Sequence, residues 1–285
     1  MKITLRALAI GILAMAVTSG FAFAGEALDR IKKDGVVRIG LNNQYPFAFK
    51  EPDGSLSGFA YETTKAVFAA IGVQKIEPVV MDWASMIPGL KANRIDVIVA
   101  GMFIRPARCE QVAFSNPDYQ AFDTLIVLKG NPRNLHSFND VIKNENIKVA
   151  AIQGGATALT LKNIGVPERQ HQILPGYVEM FAALKAGRVD GVTIDTVSSG
   201  KFLAADAQNI ERAEPFQVPV IDGAPATSYG GYVFRLEDKD LVELFNKYLD
   251  RFVGSPEQLA LLRKYGLGPN DIPPRTATVA RLCAK

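Results

Sequence analysis

Asp96-Val97-Ile98-Val99-Ala100-Gly101-Met102-Phe103-Ile104-Arg105-Pro106-Ala107-Arg108 decides the fold of this 285-residue chain. Asp96 to Ala100 reads as a buried strand: behind Asp96, Val97 to Ala100 is an apolar run too short for a helix and without polar alternation, the pattern of a strand covered on both faces. Glycine then breaks the run, and a Pro-led turn follows that carries two arginines. Outward from it, Val36 to Leu41 and Ile76 to Val80 also read as strands. Phe59, Thr63, Val67 and Ile71, four apart, give one helix face that stops at Gly72, and Ala84 to Lys91 reads as helix behind an Asp82 cap. Strand, helix, strand, helix, strand implies an α/β unit with a mainly parallel sheet.

A second set follows the first. Thr124 to Leu128, Lys148 to Ile152 and Val189 to Ile194 read as strands, and Ala156 to Asn163 and Val178 to Ala186 as helices. A late strand, Gly231 to Phe234, precedes helices over Lys239 to Phe252 and Pro256 to Lys264. A chain of this length is expected to split into two domains. In open α/β sheets ligands bind outside the carboxyl ends of strands. Two such lobes facing each other form a cleft, and a double crossing between them permits hinge closure.

Composition removes several functions. At 21% charged and 48% hydrophobic residues the chain is globular. Two cysteines and two histidines, His136 and His171, do not make a zinc site at these spacings, and no metal or cofactor is expected. Residues 1–24 read as a signal peptide: Lys2 and Arg6, an apolar run from Ala7 to Val17, and the cleavage pattern Ala22-Phe23-Ala24. Those two basic residues account for two of the three net positive charges, so residues 25–285 carry +1, a balance that gives no reason to expect nucleic acid. Export to an oxidising compartment makes a Cys109–Cys283 disulfide the expected state. That bond returns the C-terminus to the first unit. Lobe 1 is then discontinuous, 25–122 plus 229–285, and lobe 2 is 123–228, with crossings near Tyr119 to Asp123 and Pro225 to Gly230.

Arg108 follows the decisive strand, where the cleft belongs, and its guanidinium has the fork geometry to hold a carboxylate through two parallel hydrogen bonds. Its alternative is a surface arginine at a helix start.

Ser57-Gly58-Phe59-Ala60, Met86-Ile87-Pro88-Gly89-Leu90 with Arg94-Ile95-Asp96, Ala100 to Arg108, Val112-Ala113-Phe114-Ser115 and Gly187-Arg188-Val189-Asp190-Gly191-Val192, taken in order, resemble the polar amino-acid-binding proteins of ABC importers over about Val36 to Gly266. The resemblance implies the two-lobed periplasmic-binding-protein fold, a small zwitterionic ligand in the interlobe cleft, a monomer, and delivery to a membrane permease and ATPase without chemistry. It puts the ligand carboxylate on Arg108, the ligand ammonium on Asp195, and donors at the turn from Gln153 through Ala156 to Thr157. Phe103, Arg105-Pro106-Ala107-Arg108-Cys109 and the ending Leu282-Cys283-Ala284-Lys285 resemble in particular the ectoine/hydroxyectoine-binding branch. That branch implies an aromatic wall of Phe47, Trp83 and Phe103 beside Gly101, rings whose faces attract a delocalised or alkylated cation.

The chain departs from its relatives at three places. Gln44 stands where the branch has an acid, Asp195 restores the acid used by ordinary amino-acid binders, and Phe103 and Arg105 replace small hydroxyl residues. The alternative for Asp195 is a cap on a helix over Thr196 to Phe202. Two rival functions use the same fold: the binding lobe of a sensor or chemoreceptor, and a periplasmic enzyme of the cyclohexadienyl-dehydratase kind. The enzyme needs a general acid or base in the cleft, and both histidines read as solvated loop residues.

Overall fold

A computed structural model describes residues 26–221 and 224–284. The leader read over residues 1–24 lies outside the described residues. One sheet runs through the molecule in the order Lys75–Val80, Val36–Leu41, Val97–Phe103, Thr227–Phe234, Tyr119–Leu128, Gly191–Asp195, Val149–Ile152, His171–Leu174. Within each half the strands are parallel, Val36–Leu41 beside both of its neighbours and Val149–Ile152 beside both of its own. The middle is antiparallel. Its two long strands carry the chain out of the first half and back again, so they must run in opposite directions. The first half of Tyr119–Leu128 pairs with Thr227–Phe234, and from Asp123 onward the same strand pairs with Gly191–Asp195. A single strand thereby belongs to both halves, and the fold is two-lobed α/β.

Each half buries both faces of its sheet. Phe59, Val67 and Phe68 of the helix Phe59–Ala69 cover one face of the first half together with Leu241, Phe245 and Leu249 of the helix Lys239–Phe252. The other face holds Met86, Leu90, Ile98 and Met102, with Val279, Leu282 and Cys283 of the tail packed against them. That packing brings the tail to Cys109, and Cys109–Cys283 is a disulfide with its Cα atoms 5.7 Å apart. The second half is built the same way, on Leu125, Phe138, Val149 and Leu161 on one side and Ile126, Met180, Phe181 and Ile194 on the other.

Several elements differ from the sequence reading. The helix read over Ala84 to Lys91 is a 3-10 turn, Trp83–Ser85, followed by the short helix Met86–Lys91, and the Asp82 side chain makes no capping bond. Pro88 and Gly89 leave too little helix propensity to extend it. His171 opens the parallel edge strand His171–Leu174 and is not a loop residue. The late strand is twice as long as its apolar part, since Thr227 to Gly230 is held by backbone pairing with Tyr119–Phe122.

Candidate functional site

The cleft is built from ends of elements. On the first lobe, the strand Val36–Leu41 releases the loop bearing Gln44 and Phe47, and the strand Lys75–Val80 leads to Trp83. The strand Val97–Phe103 delivers Gly101 and Phe103. On the second lobe, Val149–Ile152 runs into the helix Ala156–Asn163, and Gly191–Asp195 into the helix Thr196–Ala205. Both helices point their N-termini, the positive ends of their dipoles, at the same space. Gln44, Phe47, Trp83, Gly101, Phe103, Ala156, Thr157 and Asp195, eight residues singled out in the sequence, line one cavity there.

Its walls are close together. The enclosed space is about 20 Å3, room for about one water. A mouth of about 640 Å3, lined by Asn42, Tyr45, Asp82, Glu179 and Lys201 among others, leads into it. Three hydrogen bonds join the lobes across it: Gln44 Nε2 donates to Ser198 Oγ (2.9 Å), and Trp83 Nε1 (3.2 Å) and Arg108 Nη2 (2.9 Å) both donate to the Gly154 carbonyl. A small molecule entering this space takes the place of such contacts.

Arg108 sits at the edge of the cavity and not on its lining. Its helix, Pro106–Cys109, starts with proline at the first turn, and Nη1 donates back to the Phe103 carbonyl at 2.8 Å. Burial, and then the positive charge of Arg105, lowers its pKa to about 10, so it is charged at neutral pH. The Trp83 ring centroid lies 5.8 Å from its guanidinium carbon.

Asp195 enters the cavity from the second lobe. The carboxylate does what its alternative reading requires, accepting from Ser198 N at 2.8 Å as the cap of Thr196–Ala205. It also lines the cavity, 4% exposed, and burial raises its pKa. Capping and cavity-lining therefore coexist in one side chain.

The aromatic wall is partly core. Phe47 is 1% exposed and packs on Phe59 and Tyr119 at 5.4 and 5.1 Å between ring centroids, and Phe103 lies 5.7 Å from Tyr119. Gly101 has φ +65°, and a Cβ there would lie 2.3 Å from the Phe47 ring, so only glycine lets that ring reach the strand.

Tyr177, Ser198 and Ile152 line the cavity without having been singled out in the sequence. Tyr177 begins the helix Tyr177–Lys185 just after the edge strand His171–Leu174, the carboxyl-end position that marks cleft residues, and it was missed because that strand was not read. Ser198, third residue of the helix capped by Asp195, was legible from the cap. His136 and His171 are absent from the lining, and no cluster of metal-binding side chains exists among the described residues.

The chain belongs to family 3 of the bacterial extracellular solute-binding proteins, whose model matches residues 37–268. It is 36% identical over 248 residues to a probable amino-acid ABC transporter periplasmic-binding protein of Sinorhizobium fredii, covering 86% of this chain and 81% of that one. It is 30% identical over 266 residues to the L-arginine-binding protein of Pseudomonas aeruginosa, 90% of this chain and 94% of the other. Among solved structures, the hydroxyectoine complex of EhuB superposes with a TM-score of 0.78 at 30% identity, over 92% of this chain and 98% of that one. An ancestral amino acid-binding protein, a precursor of cyclohexadienyl dehydratase, reaches 0.72 at 28% identity, over 84% and 98%.

Proposed function

We propose that the protein captures a small zwitterion between its lobes and hands it to an ABC importer. The observation that supports this reading is one closed cleft lined by Phe103 and Trp83 from the first lobe and by Asp195 from the second, with Arg108 at its edge reaching across to the Gly154 carbonyl. Arg108 exchanges the Gly154 carbonyl for the ligand carboxylate, a better acceptor because it is charged and bidentate. Ala156 and Thr157 add the donors of a helix N-terminus. Asp195 takes the cation, and Phe47, Trp83 and Phe103 wall it. Gln44 meets the ligand from the first lobe and Tyr177 from the second.

Ectoine and hydroxyectoine suit such a site, as do polar amino acids; the resemblance to EhuB favours the first pair and the amino-acid-binding relatives the second. The protein acts as an exported monomer after loss of residues 1–24, with lobe 1 formed by 25–122 plus 229–285 and lobe 2 by 123–228. The reading is of binding without chemistry: the relatives matched are binding proteins, and the carboxylate that lines the cavity is engaged in a helix cap. A thermal-shift screen of the purified mature protein against ectoine, hydroxyectoine, glycine betaine, proline and polar amino acids tests the reading. A ligand at 100 times its dissociation constant adds about 2.7 kcal/mol of stability. Absence of a shift with every zwitterion defeats it.

A further inference from the structure

Arg105 is a charge that the binding roles above leave unexplained. It lies three residues before Arg108 on the same segment, its Nη2 donates to Ser228 Oγ at 2.6 Å, and its guanidinium carbon is 5.8 Å from the Phe103 ring centroid. Ser228 pairs with Ala121 across the two long strands, and Asp123, two residues on, pairs with Asp195. Paired residues share a face of a sheet, as do residues two apart. Ser228, Asp123 and Asp195 therefore form a row on one face, and Arg105 reaches its near end from the first lobe. At its far end stand two buried carboxylates. Asp123 is 1% exposed, and its Oδ1 makes no hydrogen bond. A buried acid with one oxygen unpaired is costly unless a positive charge lies near. Arg105 supplies that charge, attracting Asp123 electrostatically.

We propose that Arg105 is a specificity-determining residue: it is a cation behind the Phe103 wall of the pocket that offsets Asp123, so that the cleft accepts ligands of zero net charge and rejects those with a second positive charge. This rests on the zwitterion reading above. Next to the inner cavity two guanidinium groups offset two carboxylates, Arg105 and Arg108 against Asp123 and Asp195, while the charges of Asp82, Glu179 and Lys201 lie farther out at the mouth. A neutral zwitterion keeps that balance. A dibasic amino acid brings one further cation into a poorly screened space where the Phe103 and Trp83 rings already lie beside guanidinium groups.

Titration calorimetry at pH 8 with ectoine, L-glutamine and L-arginine tests it on the wild type, Arg105→Gln, Arg105→Lys, Asp123→Asn and the double variant Arg105→Gln/Asp123→Asn, each checked for folding by its melting transition. The wild type is expected to prefer a neutral ligand to arginine. Arg105→Gln should shift the ratio of the two affinities toward arginine by about tenfold or more, the scale of one charge in a partly desolvated site. Arg105→Lys should hold the wild-type ratio, and the double variant should return to it. Asp123→Asn alone should move the ratio the opposite way, which keeps the test alive if Arg105→Gln does not fold. Equal weakening for all three ligands in Arg105→Gln, or a wild type that prefers arginine, overturns the charge role and leaves zwitterion capture standing. A wild type that binds neither ectoine nor glutamine nor arginine overturns both.

Discussion

Arg108 and Asp195, the two charges on which the proposed site relies, also hold structure, one donating to the Phe103 carbonyl and the other capping a helix. Arg108→Lys keeps the charge and removes the fork, so a zwitterion should bind at least about tenfold more weakly while the melting temperature stays within a few degrees. Titration calorimetry reads the first and a thermal scan the second. Asp195→Asn leaves the cap on Ser198 N in place, because Asn caps about as well as Asp. Stability should then be nearly unchanged while affinity for a zwitterion falls by about 2 to 5 kcal/mol, the cost of stripping one partner from a buried charge pair. An unchanged affinity would leave Asp195 as a cap alone. Asp118 offers a test of pH dependence away from the ligand. Burial pushes its pKa up to about 7, with Tyr232 Oη donating to Oδ2 at 2.7 Å. A carboxyl whose folded pKa is raised favours folding in its protonated form, so that stabilisation is complete below the unfolded value near 3.9 and is lost as pH rises through about 7. Asp118→Asn should therefore gain on the wild type in thermal stability between pH 5 and pH 8. A pH-independent difference between the two would refute the shift.

At the scale of elements, the strand Val97–Phe103 sets the first-lobe side of the cleft through Gly101 and Phe103. Its pairing with Thr227–Phe234 shifts register near Gly231, and Gly101 takes a left-handed conformation opposite the Phe47 ring. Gly101→Ala should displace that ring and strain the backbone together, costing at least about 1 to 3 kcal/mol of stability and weakening ligand capture, as denaturant titration and calorimetry would read. Gly58 plays a parallel part at the start of the helix Phe59–Ala69: at φ +122° a Cβ would stand 2.3 Å from the Phe47 carbonyl oxygen. The loop bearing Gln44 and Phe47 is thus fixed by two glycines from two different elements. Periodicity marked the helix Phe59–Ala69 and the strand, but neither contact is periodic.

For the whole molecule, the disulfide fixes the tail to the first lobe, and the interlobe hydrogen bonds hold the two lobes against each other. Cys109 and Cys283 are 174 residues apart, and closing so long a loop removes about 5 kcal/mol of unfolded-chain freedom in the chain-entropy model. Cys109 also ends the helix bearing Arg108. Cys283→Ser should lower the melting temperature of the oxidised protein strongly and weaken ligand binding as a second effect. Identical melting of the variant and the wild type would show that the bond contributes nothing. Thiol titration of the denatured, unreduced protein should find no free thiol.

What the sequence determined by itself is whatever depends on neighbours along the chain: the strand Val97–Phe103 from an unbroken apolar run, the helix Phe59–Ala69 from its four-residue spacing, and the two-lobed α/β class from their alternation. The family resemblance that the ordered motifs carry also implied eight of the cavity's lining residues. Only the tertiary structure decided which distant groups meet. His171–Leu174 is a strand because Val149–Ile152 lies beside it, and Tyr177 reaches the cleft because that strand ends there. Arg105 faces the row that ends in Asp123 and Asp195 through the register of two strands separated by about a hundred residues. Such encounters follow from how sheet halves pair and close, an energy summed over the whole core, and no local pattern of residues records it.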